Sequence, residues 1–161
     1  MPKSTQLNKL RLLAIGTVLV AVVLTVVLTH RSQNVTFSKC GAYRNDKTVQ
    51  VGSTKIQAEL AKNSDQQQQG LGNRPCIEKN QGMLFVFNKP RRYPFWMKDM
   101  RFPIDIVWIG ADHKVVGLDV NLQPSTYPDS FEAAKPVQYV LELQANRADS
   151  LGLVLGTPIN F

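Results

Sequence analysis

The stretch PFWMKDMRFPIDIVWIG, residues 94–110, decides how the chain is read. Its second half, "PIDIVWIG", is an apolar, β-branched run of strand length, opened by Pro103 and closed by Gly110. Residues 110–114, Gly-Ala-Asp-His-Lys, form a polar tip, and "KVVGLDV" returns as a partner strand, so a β-hairpin is expected. His113 at that tip reads as a solvated turn residue. The first half is harder to place. Phe95, Trp96 and Phe102 crowd around Lys98, Asp99, Arg101 and Asp105, between Pro94 and Pro103. A core strand does not need those charges, and a surface loop does not need a tryptophan.

Short strands continue on both sides. "GMLFVF" (82–87) suits a strand buried on both faces. "TVQVGSTKIQAELA" (48–61) alternates with a period of two and breaks at Gly52-Ser53, the pattern of paired short strands. Between these runs, Ser64 or Asp65 can cap a short helix that Gly70 ends. Residues 121–136, "NLQPSTYPDSFEAAKP", carry three prolines and read as a long irregular segment. Such segments are often functional, which makes this one a candidate protein-interaction surface. "VQYVLELQ" (137–144) alternates, with Val137, Tyr139, Leu141 and Leu143 on one face and Gln138, Val140 and Glu142 on the other. A short helix near 145–151 and a strand near "TPINF" follow. The expected fold class is mainly β: a compact β-sandwich or partly open barrel with one or two short helices.

Residues 12–29, "LLAIGTVLVAVVLTVVLT", carry no charge. As a helix this run spans about 27 Å, enough to cross a hydrocarbon core. Lys3, Lys9 and Arg11 precede it, so residues 1–11 are expected in the cytoplasm, 12–29 as a single-pass signal anchor in the cell membrane, and the remainder outside. The alternative is secretion after signal-peptide cleavage, but the run is longer than an ordinary h-region and no A-x-A-like site follows it. Residues 30–47 are polar and aperiodic and read as a spacer, with the exported β-domain over 48–161. Three of the 19 basic residues precede the apolar run, leaving 16 against 12 acidic residues, about +4 for the exported part. That is too sparse a basic surface for nucleic-acid binding. Cys40 and Cys76 both follow the anchor, and in an oxidising compartment a disulfide between them is the simplest interpretation, with two separate buried thiols as the alternative. With His30 and His113 as the only histidines, no metal site is expected.

Several blocks together resemble the bacterial and archaeal family called domain of unknown function 192. They are Gly70-Leu71 with Arg74, "GMLFVF", "FWMKDMRFPIDIVWI" (95–109), "YVLEL" (139–143) and "GTPINF" (156–161). The resemblance covers about residues 48–161 and implies a compact, mainly β domain related to sandwich or jelly-roll folds, often exported, with no established activity. Three positions depart from the family pattern. Gly72 stands where methionine is usual, Asp99 where asparagine is common, and Asn146 where glycine is usual.

No Ser-His-Asp arrangement, G-x-S-x-G, H-E-x-x-H, P-loop or dinucleotide fingerprint is present. Paired carboxylates could still act as in glycosidases if Asp105 and Glu142 converge from neighbouring strands, which makes an envelope hydrolase an alternative. A binding site would use Trp96, with Phe95 or Phe102, as an apolar platform, and Lys98, Asp99, Arg101, Asp105 and Glu142 as polar contacts. The ligand would be an envelope carbohydrate or, given Lys89, Arg91 and Arg92 nearby, an anionic polymer. Against both stands plain packing, in which Trp96 and Met97 fill core and Lys98 pairs with Asp105 or Glu142. Packing is the expected role of the stretch. The expected function is non-catalytic, ligand binding or an accessory task at the cell envelope, without a cofactor.

Overall fold

The computed structural model describes residues 35–161. The expected cytoplasmic segment 1–11 and anchor 12–29 lie outside the described residues. Among the described residues no helix is long and apolar enough to cross a membrane.

Seven strands form one mixed sheet. In chain order they are β3 (Lys47–Val51), β4 (Thr54–Ala61), β5 (Gln81–Arg91), β7 (Ile104–Ile109), β8 (Val115–Leu122), β10 (Val137–Gln144) and β11 (Ile159–Asn160). Their spatial order is β11-β3-β4-β5-β10-β7-β8. Only β4 and β5 run parallel, and the connection this requires holds helix α1 (Ser64–Gln69). Asn63 caps α1 through a reciprocal capping box with Gln66. Strand β7 is buried at all six positions because the sheet is covered on both faces.

The two faces divide the apolar residues by parity. One carries Met83, Phe85, Ile106, Trp108 and Val140. The other carries Ile56, Leu84, Val107, Leu141 and Leu143, closed over by Leu153 and Ile159. The sheet curls into a half-barrel, and its ends approach where the Val115 N–H donates to the Thr157 carbonyl and the Ile159 N–H to that of His113. Of the expected architectures, the partly open barrel describes the molecule, with two short helices, α1 and α2 (Arg147–Ser150).

Three features depart from expectation. First, part of the 30–47 spacer folds: β1 (Val35–Ser38) and β2 (Gly41–Arg44) form an antiparallel hairpin, and the compact unit begins at Val35. Cys40, in its turn, is disulfide-bonded to Cys76 with Cα atoms 5.0 Å apart. The Tyr43 hydroxyl bonds the Gly82 backbone and donates to the Gln57 carbonyl at 2.8 Å. Second, His113 adopts the left-handed turn conformation (φ 61), but its ring stacks on Phe161 at 4.4 Å instead of standing in solvent. Third, segment 121–136 is partly ordered. It holds a 3-10 turn (Pro124–Thr126) and β9 (Ser130–Phe131), which pairs with the two-residue strand β6 (Phe95–Trp96).

Candidate functional site

Strand β10 carries the central acid. Its alternation turns Glu142 toward the face of Met83 and Ile106, its register partners on β5 and β7. Glu59 on β4 is in register with Met83, so Glu59, Met83, Glu142 and Ile106 form one row across four strands. The two acids meet different fates. Glu59 accepts a two-pronged ion pair from Arg74, at 2.9 and 2.7 Å, and Arg44 adds a contact at 3.4 Å. The Arg74 guanidinium also lies over the Tyr43 ring, 5.8 Å from its centroid. Glu142, only 5% exposed, has one carboxyl oxygen, Oε2, with no hydrogen-bond partner among the described residues. Burial pushes its carboxyl up from 4.5 to about 8, against the opposing pull of the Arg74 guanidinium and the Leu71 backbone N–H. At neutral pH the group therefore mostly keeps its proton.

A cavity of about 250 Å³ opens over Glu142. Aromatic rings from Phe85, Phe87, Tyr93, Phe95 and Trp96 wall it, and Gln67, Gln68 and Gln69 of α1 form its rim. Tyr93 stacks on Phe87 with centroids 3.6 Å apart, and Phe95 meets Phe85 edge-on at 4.9 Å. Outside lies a polar hollow of about 460 Å³ bordered by Asp65, Gln68, Gln69 and Asp99, with Trp96 and Lys98 shared between the two spaces.

The loop after α1 completes the enclosure. Gly70 has φ +50 and ψ −137, a conformation that favours glycine. A side chain at Gly72 would meet the Gln69 carbonyl oxygen at 2.9 Å, so glycine at this departure from the family pattern permits the tight turn. The Asn73 N–H donates to the Asp99 carbonyl at 2.7 Å, tying this loop to the Trp96 segment. Asp99 has φ 58, which asparagine and aspartate both tolerate, so its backbone conformation accounts for the residue type there.

The structure corrects the expected role of Trp96. In β6, Phe95 and then Met97 turn inward while Trp96 turns outward, 42% exposed. The buried tryptophan is Trp108, whose indole donates to Asp119 at 2.6 Å. Of the sequence candidates, Trp96, Lys98 and Glu142 meet at the cavity, and Asp99 borders the adjoining hollow. Arg101 is exposed and borders neither space.

Asp105 lies elsewhere. It is in register with Leu143, one position from Glu142, so the two carboxylates occupy opposite faces of the sheet. Its carboxylate accepts backbone N–H groups from Asn121, Asn146 and Ala148 at 2.8, 3.0 and 2.8 Å. The paired-carboxylate arrangement is therefore not formed. Nor is the expected ion pair of Lys98 with either acid: the ion pairs among the described residues use Arg44, Arg74 and Arg92. Phe85, Phe87 and Tyr93 were not among the sequence candidates. The apolar run 82–87 held a signal once read as a strand, because alternation places Met83, Phe85 and Phe87 on the face that Glu142 occupies.

A crystal structure of a protein of unknown function from Novosphingobium aromaticivorans is similar, with 32% identity, a TM-score of 0.66, and coverage of 71% of this chain and 82% of that one. A second, of a proposed transcription regulator from Sinorhizobium meliloti, has 30% identity, a TM-score of 0.65, and coverage of 70% and 89%. No curated protein matches the chain. The family DUF192, described as "Uncharacterized ACR", matches residues 47–161, which include the strand row, the aromatic walls and Glu142. The chain belongs to the DUF192 family.

Proposed function

We propose that the domain is a non-catalytic, small-ligand-binding module of the cell envelope, held at the membrane by residues 12–29. The observation that carries this reading is the unpartnered Glu142 carboxyl oxygen beneath an open, aromatic-walled cavity. Most buried polar atoms in folded proteins have partners, and an apolar pocket with a few converging polar groups is the usual form of a ligand site. At about 250 Å³ the cavity suits one small molecule or one group of a larger one, such as an envelope carbohydrate or polymer end, with the polar hollow taking the rest. The regulator label of the Sinorhizobium protein is not carried over. The longest helix among the described residues has six residues, too short for a recognition helix in the major groove.

The test is a thermal-shift screen of the full chain against envelope sugars, peptidoglycan fragments and anionic polymers. At least one should raise the melting temperature, and Trp96→Ala should remove the rise. If none shifts the protein, or Trp96→Ala leaves the shift intact, the cavity is not the binding site.

A further inference from the structure

We infer that the group recognised at the cavity floor is an ammonium: the amine-bearing end of a small polar molecule, set against the Glu142 carboxylate inside the aromatic walls, with the remainder lying in the Lys98–Asp99 hollow. This rests on the ligand-binding reading above and names its chemistry.

The charge arrangement around Glu142 supports it. Arg74 is committed to Glu59 by two short hydrogen bonds, and Arg44 reaches Glu59 and Asp46. Lys98 stands exposed at the mouth. Of the other titratable groups facing this space, Tyr93 lines the wall and Tyr43 is turned to the Gly82 backbone, while Asp65 and Asp99 border only the outer hollow. Asp119, on the same sheet face, is held by the Trp108 indole. Arg74 pulls on Glu142 through space but bonds Glu59, so no described cation forms an ion pair with the Glu142 carboxyl. The walls add a second preference, since aromatic faces attract a desolvated cation. A hydroxyl could hydrogen-bond Glu142 but would gain nothing from its charge. A carboxylate or phosphate at the same place could only accept from the protonated acid, so its binding would weaken as pH rises through 8.

The same geometry makes binding proton-linked. Without ligand the Glu142 carboxyl holds its proton to about pH 8. An entering ammonium favours the carboxylate, and one proton leaves Glu142 for solvent. The amine keeps all its own protons.

The test titrates the full chain with 2-phenylethylamine, 2-phenylethanol and 3-phenylpropionate by calorimetry, in buffers of different ionisation enthalpy, at pH 6, 7 and 8. The amine should bind best, release close to one proton at pH 6, and tighten about tenfold from pH 6 to pH 7 by linkage. Glu142→Gln should abolish both the amine preference and the pH slope of amine binding. The wild-type slope and proton count decide the matter even if that variant folds poorly. Equal binding of the alcohol, tighter binding of the carboxylate, or a pH-independent amine affinity overturns the ammonium assignment and leaves the cavity as a binding site. Binding of none of the three, together with a silent thermal-shift screen, overturns both.

Discussion

Replacing Glu142 with glutamine should change how stability depends on pH, and the size and sign follow from its surroundings. Burial lifts the folded carboxyl from 4.5 to about 8, so between those values the folded chain holds a proton that the unfolded chain has released. The stability that this proton confers is fully present below about pH 4.5 and is lost as pH rises through 8. At about 1.4 kcal/mol per pH unit, the wild type should lose roughly 3 kcal/mol between pH 5 and pH 7 from this group alone. For a domain of this size that is about 10 °C of melting temperature. Glutamine cannot ionise, so urea denaturation of both proteins at pH 5, 6, 7 and 8 isolates the effect: the difference curve should tilt toward the variant by roughly 3 kcal/mol from pH 5 to 7. Trp108, buried beside Phe95, provides a fluorescence signal for unfolding. A difference curve flat to within about 0.5 kcal/mol over that range would refute the reasoning, because Glu142 would then be ionised and solvated in the folded protein.

Reducing the Cys40–Cys76 disulfide, or replacing both residues with serine, should cost roughly 4 kcal/mol on the chain-entropy relation for their separation of 36 residues; an unchanged melting temperature in reductant would contradict this. Asp105→Asn should cost about 3 kcal/mol in chemical denaturation, since the charged acceptor of three backbone N–H groups is lost. A loss under about 1 kcal/mol would mean the amide replaces it. Trp96→Ala should change stability by less than about 1 kcal/mol and Met97→Ala should lose about 2–5 kcal/mol; the opposite ranking would reverse the inside–outside assignment of this segment.

From Tyr139 onward the face assignments of β10 were legible in the sequence, and Glu142 fell on the face of Val140 as the pattern required. Val137, expected with Tyr139, Leu141 and Leu143, packs instead with Val140 because the register shifts between Val137 and Tyr139. The β7–β8 hairpin was also legible: an apolar run, a polar tip and a return. The convergence of Asp105 and Glu142 was not, because it depends on register. One residue of offset between neighbouring strands moves a side chain to the other face, and nothing local fixes that offset. Trp108 lies in an apolar run, whereas Trp96 has Lys98, Asp99 and Arg101 close behind it, and the pairing of Phe95 with Phe131 sets which side of β6 turns outward. The 35–44 hairpin was hidden by its polar composition; its anchors are Tyr43, Arg44 and one disulfide, which a hydrophobic pattern does not record.

Strand β10 lies between β5 and β7, yet both of those strands precede it in the chain. The sheet must therefore hold open, or loosely close, a gap that is filled by residues beginning 56 positions after the start of β5. Pairings this distant in sequence make for slow folding. During synthesis the aromatic walls and the α1 rim exist as sequence well before the acid beneath them does. A chain arrested short of residue 137 would carry all five rings of the cavity and no floor, leaving an open sheet edge on each side of the gap. Insertion of β10 thus seals both edges and installs Glu142 in a single event, so the buried carboxyl arrives only as the chain loses its exposure to aggregation.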